Sequence, residues 1–378
     1  MPQVSVVIPA YNQAIYLDKA IQSVLQQSYQ DFELVVIDDG STDQTKEVVL
    51  AFHDKRLAYI YQENKGLAGA RNSGIRSTTA PLLIFLDSDD VFLPNNLALL
   101  SGLLNENPQA GAAAGQAIPI DSNGIPINRI YTARFPEASQ EFLFVNPLHV
   151  GSVMVRRFAL DRVGFFDENL RACEDWDLWL RLSISGYRFA FLNQAVSQYR
   201  LHPAQMTRDG GRMRQASFAM LEKTFENPDL PEAWKDQRHK AFAFAHLRSA
   251  ANAYHSRDFS QAQEDLRAVV RLDPSFTAVK LARRLAAIAN HPKISEPVEF
   301  LTMIYANLPA EFIELRRHSQ KEIANFAAQK AFESYQCGNF RETASMAWRA
   351  IRRQPMVLKN MGFDSMFIKS LIQHLRRG

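Results

Sequence analysis

Four short apolar runs in the first ninety residues each stop abruptly at a polar loop, with segments of helical period lying between them. Val4 to Pro9 is β-rich and almost wholly apolar, as a strand covered on both faces must be. Ala14 to Gln27 carries Ile15, Ala20, Ile21, Val24 and Leu25 close to helical period. Phe32 to Ile37 reads as a second buried strand, and Asp38-Asp39-Gly40-Ser41-Thr42-Asp43 as a tight loop with helix-starting chemistry. A helix from Gln44 to about Phe52, a strand over Leu57 to Tyr61, a helix over Leu67 to Ser77 and a strand over Leu82 to Leu86 complete the series. Pro94 suits the first turn of a further helix running to about Asn107. This alternation predicts an α/β fold, a mostly parallel sheet with helices on both faces, because parallel neighbours need long crossovers.

In such a sheet the ligand sits at the carboxyl ends of the strands. Four loops reach that edge: Pro9-Ala10-Tyr11-Asn12, Asp38-Asp39-Gly40-Ser41, Gln62 to Gly66 leading into Ala70-Arg71-Asn72, and Asp87-Ser88-Asp89-Asp90. The last packs three carboxylates into four residues. They repel one another unless something positive sits among them, and a hard divalent cation that also touches substrate phosphates is the natural partner. The other reading is a solvated acidic turn in which Asp90 caps the next helix. Together the loops would hold carboxylates, an arginine and a tyrosine, a set that suits a nucleoside diphosphate with a metal. No GxGxxG follows the first strand and no GxxxxGK[ST] is present, which removes support for a dinucleotide Rossmann domain and excludes a P-loop.

A second acidic group is Glu174-Asp175-Trp176-Asp177, ahead of Leu178, Trp179 and Leu182 at helical spacing. Acids in a first helical turn are favoured by the helix dipole. The same dipole keeps a carboxylate ionised, as a general base near a substrate hydroxyl requires. Trp176 beside it is read either as an apolar wall for a sugar ring or as core.

Taken in order, Val6-Val7-Ile8-Pro9-Ala10-Tyr11-Asn12, Val36 to Asp43, Gly66-Leu67-Ala68-Gly69-Ala70-Arg71-Asn72, Phe85 to Asp90 and the Glu174-Asp175 pair before Trp176-Asp177-Leu178-Trp179-Leu180-Arg181 resemble the family 2 glycosyltransferases, whose catalytic domain has the GT-A fold. The resemblance covers roughly residues 3–210. It implies transfer of a sugar from a nucleotide-sugar donor (UDP-, GDP- or dTDP-linked), usually with inversion, in cell-surface glycan synthesis. It implies that Asp39 pairs with the base edge, that Pro9 and Tyr11 line the base pocket and that Arg71 contacts the nucleotide. By the same resemblance Asp87 would lie near the ribose, with Ser88 in the same donor-binding set. Asp89, second acid of the DxD signature, would bind Mg²⁺ or Mn²⁺, with His202 near the diphosphate or metal. Asp175 would be the general base and Glu174 would support the acceptor, a glycan, a lipid-linked saccharide or a protein. The processive QxxRW signature is absent; Gln198-Tyr199-Arg200-Leu201-His202-Pro203 stands there, which argues for adding one or a few sugars. The acceptor pocket is expected within residues 115–150, where no motif is legible.

The rest of the chain is of another kind. Residues 1–232 carry 20 Lys and Arg against 27 Asp and Glu, a balance of −7, whereas residues 233–378 carry 23 against 13, a balance of +10. That asymmetry, with Pro228 and Pro231, predicts a glycosyltransferase domain over 1–227 and an all-α domain over 228–378. Tyr254-His255-Ser256-Arg257-Asp258-Phe259 and Tyr335-Gln336-Cys337-Gly338-Asn339-Phe340 align at a constant offset of 81. Each reads as helix, short turn, helix, then proline, which resembles a tetratricopeptide-type hairpin; a generic antiparallel bundle is the competing reading. The tail is expected to be an interaction module facing a protein partner or an anionic membrane surface. No nucleic-acid motif accompanies its charge, so nucleic acid is not expected.

Two cysteines, Cys173 and Cys337, make no disulfide framework and fit a reducing compartment. No apolar run approaches the length of about 20 residues a membrane span needs, and no leader is legible at Met1-Pro2-Gln3-Val4, so the expectation is a cytoplasmic protein, with peripheral membrane docking left open. Two further functions compete. One is a helical-repeat scaffold with a non-catalytic nucleotide-sugar-binding domain, against which the intact Asp39, Asp87, Asp89 and Asp175 weigh. The other is a sugar-phosphate nucleotidyltransferase, whose Gly-rich, basic first loop is not matched by Pro9-Ala10-Tyr11-Asn12.

Overall fold

The computed structural model describes every residue of the chain except positions 128, 129, 132, 133, 292, 293, 360 and 378. The chain divides into two compact units, Met1–Ala245 and His246–Gly378. The first begins with the expected alternation: β1 (Val4–Ala10), α1 (Ala14–Leu25), β2 (Phe32–Asp38), α2 (Thr45–Leu50), β3 (Leu57–Tyr61), α3 (Gly66–Ser77) and β4 (Leu82–Phe85). It continues through β5 (Val91–Phe92), α4 (Asn96–Glu106), β6 (Ala110–Ile120), β7 (Val153–Arg156), α5 (Arg157–Val163), α6 (Glu174–Ile184), β8 (Arg188–Arg200), α7 (Gly210–Glu226) and α8 (Glu232–Lys235). Pro94 lies just ahead of α4 rather than in its first turn.

Among the described residues eight strands form one sheet in the order β3-β2-β1-β4-β7-β6-β8-β5. The strands β3, β2, β1 and β4 run parallel, in a register that sets Val4 opposite both Phe32 and Leu82. Strand β7 is antiparallel to β4 and β6, β8 is parallel to β6, and β5 is antiparallel to β8. Alternation along β1 sends Val4, Val6 and Ile8 into a core shared with Leu17, Ile21 and Val24 of α1 and Leu97 and Leu100 of α4. On the other face α3 approaches β1 so closely that a Cβ at Gly74 would stand 2.2 Å from Val7 Cγ1, so only glycine fits there.

Strand β6 is the element the sequence hides. Ala110-Gly111-Ala112-Ala113-Ala114-Gly115 has low strand propensity, yet it lies between β7 and β8. Its small residues make that fit: a Cβ at Gly111 would meet Tyr187 at 2.8 Å, and one at Gly115 would meet Val196 at 2.6 Å.

The first unit extends eighteen residues beyond the expected boundary at residue 227. The reason is aromatic packing. Phe242 lies 5.9 Å from Phe218 and 6.2 Å from Phe225 between ring centroids, and Arg238 sits over both Phe225 and Phe242. Phe244 reaches Phe144 at 5.4 Å.

Beyond α8 the chain is helical: α9 (Arg238–His255), α10 (Phe259–Leu272), α11 (Ala278–Ala289), α12 (Pro297–Ala306), α13 (Ile313–Gln336), α14 (Phe340–Arg353) and α15 (Met361–Arg377). The 81-residue echo is two copies of one turn. Arg257 and Gly338 hold the left-handed position, at φ of 62° and 72°. Asp258 then accepts from Gln261 N, and Asn339 from Glu342 N, capping α10 and α14. The amide of Asp258 donates to Ala253 O and that of Asn339 to Ser334 O, again 81 apart. Among the described residues no helix is long and apolar enough to cross a membrane.

Candidate active site

The parallel strands end at one edge, where the backbone stitches their loops together. Asp39 N donates to Ala10 O, Gln62 N to Asp38 O and Leu86 N to Val7 O. The loop after β2 turns at Gly40, in the left-handed region at φ 83°. Asp38 is buried there, accepting from Ser41 N at 2.8 Å and the Tyr59 hydroxyl at 2.7 Å. Asp39, also buried, uses Oδ1 to accept from Gln62 Nε2 and Lys65 N, and among the described residues nothing donates to its Oδ2. Pro9 is buried near the end of β1, whereas Tyr11 in the following loop is 51% exposed.

Arg71 is the centre of the arrangement. Its side chain is enclosed, 2% exposed, and paired with two carboxylates. Nη2 donates to Asp87 Oδ1 and Nη1 to Glu174 Oε1, each at 2.6 Å. One guanidinium on α3 thereby draws the acidic loop after β4 and the first turn of α6 to one place, although Glu174 is 103 residues away in sequence. The paired acids hold the Arg71 guanidinium above its usual range against the effect of burial. Cys173 introduces α6 from the left-handed region, at φ 61°, a conformation that costs a non-glycine residue energy and is found where a site constrains the backbone.

Asp175 follows Glu174. Its Oδ1 accepts from Trp176 N at 2.6 Å and its Oδ2 from Asn146 Nδ2 at 3.1 Å. Burial and then the neighbouring Glu174 push its carboxyl up to about 6, while Arg71 pulls the other way. Trp176 is buried, its indole donating to Phe142 O, so it belongs to the core.

In the acidic loop Ser88 and Asp90 are buried and Asp87 and Asp89 are partly open. Asp89 Oδ2 faces His202 Nε2 at 2.8 Å. Asp90 is no helix cap. It is sealed under the loop, with Oδ2 on His149 Nε2 at 2.8 Å and Oδ1 accepting from Arg200 N at 2.7 Å. Burial pushes its carboxyl up to about 7, against the opposing pull of His149. Arg200 also donates from Nε to Asp89 O, so the end of β8 grips the acidic loop twice. No group of three or more His, Cys, Asp or Glu able to enclose a metal occurs among the described residues. Asp89 and His202 face each other here with an oxygen and a nitrogen of metal-binding type.

The sequence pointed to Arg71, Asp87, Asp89, Glu174, Asp175 and His202, and these meet at one edge in the contacts above. It did not point to Asn146, His149, the burial of Asp90 or the grip of Arg200. His149 and Asn146 lie in a stretch with no periodicity, and the acceptor-pocket expectation over 115–150 partly falls on positions 128, 129, 132 and 133, outside the described residues.

Residues 5–164 match the family model described as Glycosyl transferase family 2. An uncharacterized glycosyltransferase of Rickettsia prowazekii is 31% identical over 214 residues, 54% of this chain and 66% of that protein. Validoxylamine A glucosyltransferase of Streptomyces hygroscopicus is 48% identical over 93 residues, 23% of this chain and 22% of that protein. The chain thus spans less than two thirds of each of these relatives. Among solved structures, S. aureus TarS 1–349 in complex with UDP-GlcNAc has a TM-score of 0.51 at 19% identity, covering 89% of this chain and 92% of that one. The mannosyltransferase PcManGT of Pyrobaculum calidifontis in complex with GDP-Man and Mn²⁺ has a TM-score of 0.54 at 20% identity, covering 87% and 86%. At these identities the structural likeness is one of fold. The amino-terminal unit of this chain is a glycosyltransferase family 2 domain with the GT-A fold.

Proposed function

We propose that this chain transfers a sugar from a nucleotide-sugar donor to an acceptor hydroxyl, with inversion at the anomeric carbon, in the synthesis of a cell-surface glycan. The observation that carries the reading is the double ion pair of Arg71, which ties the donor-side Asp87 to the acceptor-side Glu174 and sets Asp175 beside them. Asp39, with Oδ2 unspent among the described residues, suits the edge of a base, and the exposed ring of Tyr11 suits its face. Asp87 and Ser88 suit the ribose. Arg71 acts on the donor through Asp87 and the field of its enclosed charge.

A divalent cation, Mg²⁺ or Mn²⁺, fits Asp89 and His202. Their facing oxygen and nitrogen are two donors of suitable chemistry, and a cation of this class takes its remaining ligands from water and substrate phosphates. When bound, it supplies Lewis-acid stabilisation of charge on the departing diphosphate. The chain's own part is to hold the acceptor hydroxyl and take its proton. Asp175 Oδ2, oriented by Asn146, is the base; Glu174, locked on Arg71, shapes the wall beside it. The O–H bond breaks toward Asp175 as the hydroxyl oxygen joins the anomeric carbon and the bond to the diphosphate breaks. No covalent sugar–protein intermediate is needed. The basic helical unit would place the enzyme against a protein partner or an anionic membrane surface.

The test begins with thermal stabilisation of the full chain by UDP-, GDP- and dTDP-sugars with and without Mn²⁺, since a ligand of the native state stabilises by RT ln(1 + [L]/Kd). Nucleoside diphosphate release from the donor selected is then measured. A donor that binds the native chain but is turned over by neither water nor any glycan acceptor would leave only a binding module.

A further inference from the structure

We propose that Asn146 is a positioning residue for the base: a rigid amide clamp that aims Asp175 Oδ2 and holds it ionised. The inference rests on the reading of Asp175 as general base. Asn146 lies in a loop joining β6 to β7, without sequence pattern. Its amide has no freedom of orientation. Oδ1 accepts from Leu148 N at 3.1 Å, closing a turn of its own backbone, so Nδ2 must face outward, and there it donates to Asp175 Oδ2. A flipped amide would lose both bonds and set oxygen against oxygen.

The turn is fixed at its far end as well. His149, three residues on, is buried, with Nε2 on Asp90 Oδ2 at 2.8 Å and Nδ1 on Ser197 Oγ at 3.0 Å. Ser197 in turn meets Ser152 Oγ at 2.6 Å, and Ser152 donates to Gln116 O. Four residues therefore span from the base on α6 to the acidic loop after β4, anchored at both ends by side-chain hydrogen bonds. A clamp held this way is preorganised, which is what a base needs to meet its proton in one geometry.

Burial first disfavours the charge of Asp175, as do Glu174 on its own helix and Asp87 on the loop after β4, whereas Arg71 on α3 and the Trp176 amide favour it. Tyr131 on the β6–β7 loop feels it, its hydroxyl held up to about 12 by burial and then by Asp175 and Asp90. Asn146 is the neutral side-chain donor beside the Trp176 amide, and a donor to the ionised form favours that form.

The experiment is a titration of Asp175 in the full chain by ¹³C-carboxyl NMR on aspartate-labelled protein, its resonance identified by absence from Asp175→Asn. A hydrogen bond to a charged group corresponds to an upward shift of about one pH unit in Asn146→Ala. Asn146→Asp keeps the acceptor for Leu148 N, and so the turn, but sets a like charge against Asp175. Its midpoint should lie higher still. The acid limb of nucleoside diphosphate release should move by the same amounts, with donor binding unchanged. Midpoints within about 0.3 units of the wild type in both variants would overturn the proposal. If they move as expected while Asp175→Asn retains wild-type turnover, the clamp stands and the base assignment falls. If Asp175→Asn is inactive and the midpoints stay put, the base assignment stands and the clamp falls.

Discussion

Replacing Arg71 by Met should strip the first unit of the charge that organises its edge. The magnitude follows from the exposure of the two acids left behind. Glu174 has a side chain 4% exposed and cannot recover solvation without unfolding the first turn of α6. Breaking such a buried pair by removing one partner costs about 3–5 kcal/mol. Asp87, 29% exposed, can turn to water, and its share is that of a partly open pair, about 1 kcal/mol or less. Methionine recovers some packing against the Phe166 ring, over which the guanidinium now sits at 5.2 Å. The net expectation is a loss of about 4 kcal/mol. For a unit of this size that is a fall of roughly 8–16 °C in Tm. Calorimetry of the full chain at pH 8 reads it as a shift of the first unit's transition. The sign with pH is also fixed. Stranded carboxylates take up protons more readily folded than unfolded, so the folded variant gains protons and the deficit shrinks as pH falls toward 5. Adding Glu174→Gln should recover part of the loss. A fall below about 3 °C at pH 8, or a deficit that grows on acidification, would refute the reasoning that Arg71 compensates buried charge.

Asp89→Ala should abolish Mn²⁺-dependent stabilisation by nucleotide sugars while leaving the apo Tm within a few degrees, because the side chain is partly open and removing one of three crowded acids relieves repulsion; calorimetry with and without Mn²⁺ checks both. With Asp175 raised to about 6, turnover should rise with pH through that value, the base being protonated and idle below it; a rate profile flat from pH 5 to 8 would count against Asp175. Residues 1–255, which keep all of α9, should unfold cooperatively and bind the donor, whereas residues 1–227 should be markedly less stable, having lost Phe242 and Phe244 from their aromatic partners; equal melting of the two fragments would place the boundary back at residue 227.

What could be read from the chain alone was whatever the backbone repeats. The apolar runs from Val4, Phe32 and Leu82 had to be buried strands, with a further strand from Leu57, and all four parallel, because the segments between them had helical period and crossover length. From strand order alone it followed that Asp39, Arg71 and Asp87 lie at the carboxyl edge. The 81-residue echo in the tail likewise fixed two equal turns, since a left-handed residue followed by a capping Asp or Asn is local chemistry.

Tertiary structure decided the rest, where neighbours outweigh local preference. An Ala- and Gly-rich segment became β6 because only small residues fit under Tyr187 and Val196. Phe242 belongs to the first unit because its partners are Phe218 and Phe225, a matter of packing that no composition change marks. Arg71, legible as a site residue, turned out to be enclosed between acids from two distant segments. Asp90 and His149, 59 residues apart, are one buried pair, and Asn146 reaches Asp175 across 29 residues of unpatterned chain. A hydrogen bond between remote side chains leaves no period in the sequence. It exists only once the sheet has brought both ends to the same edge.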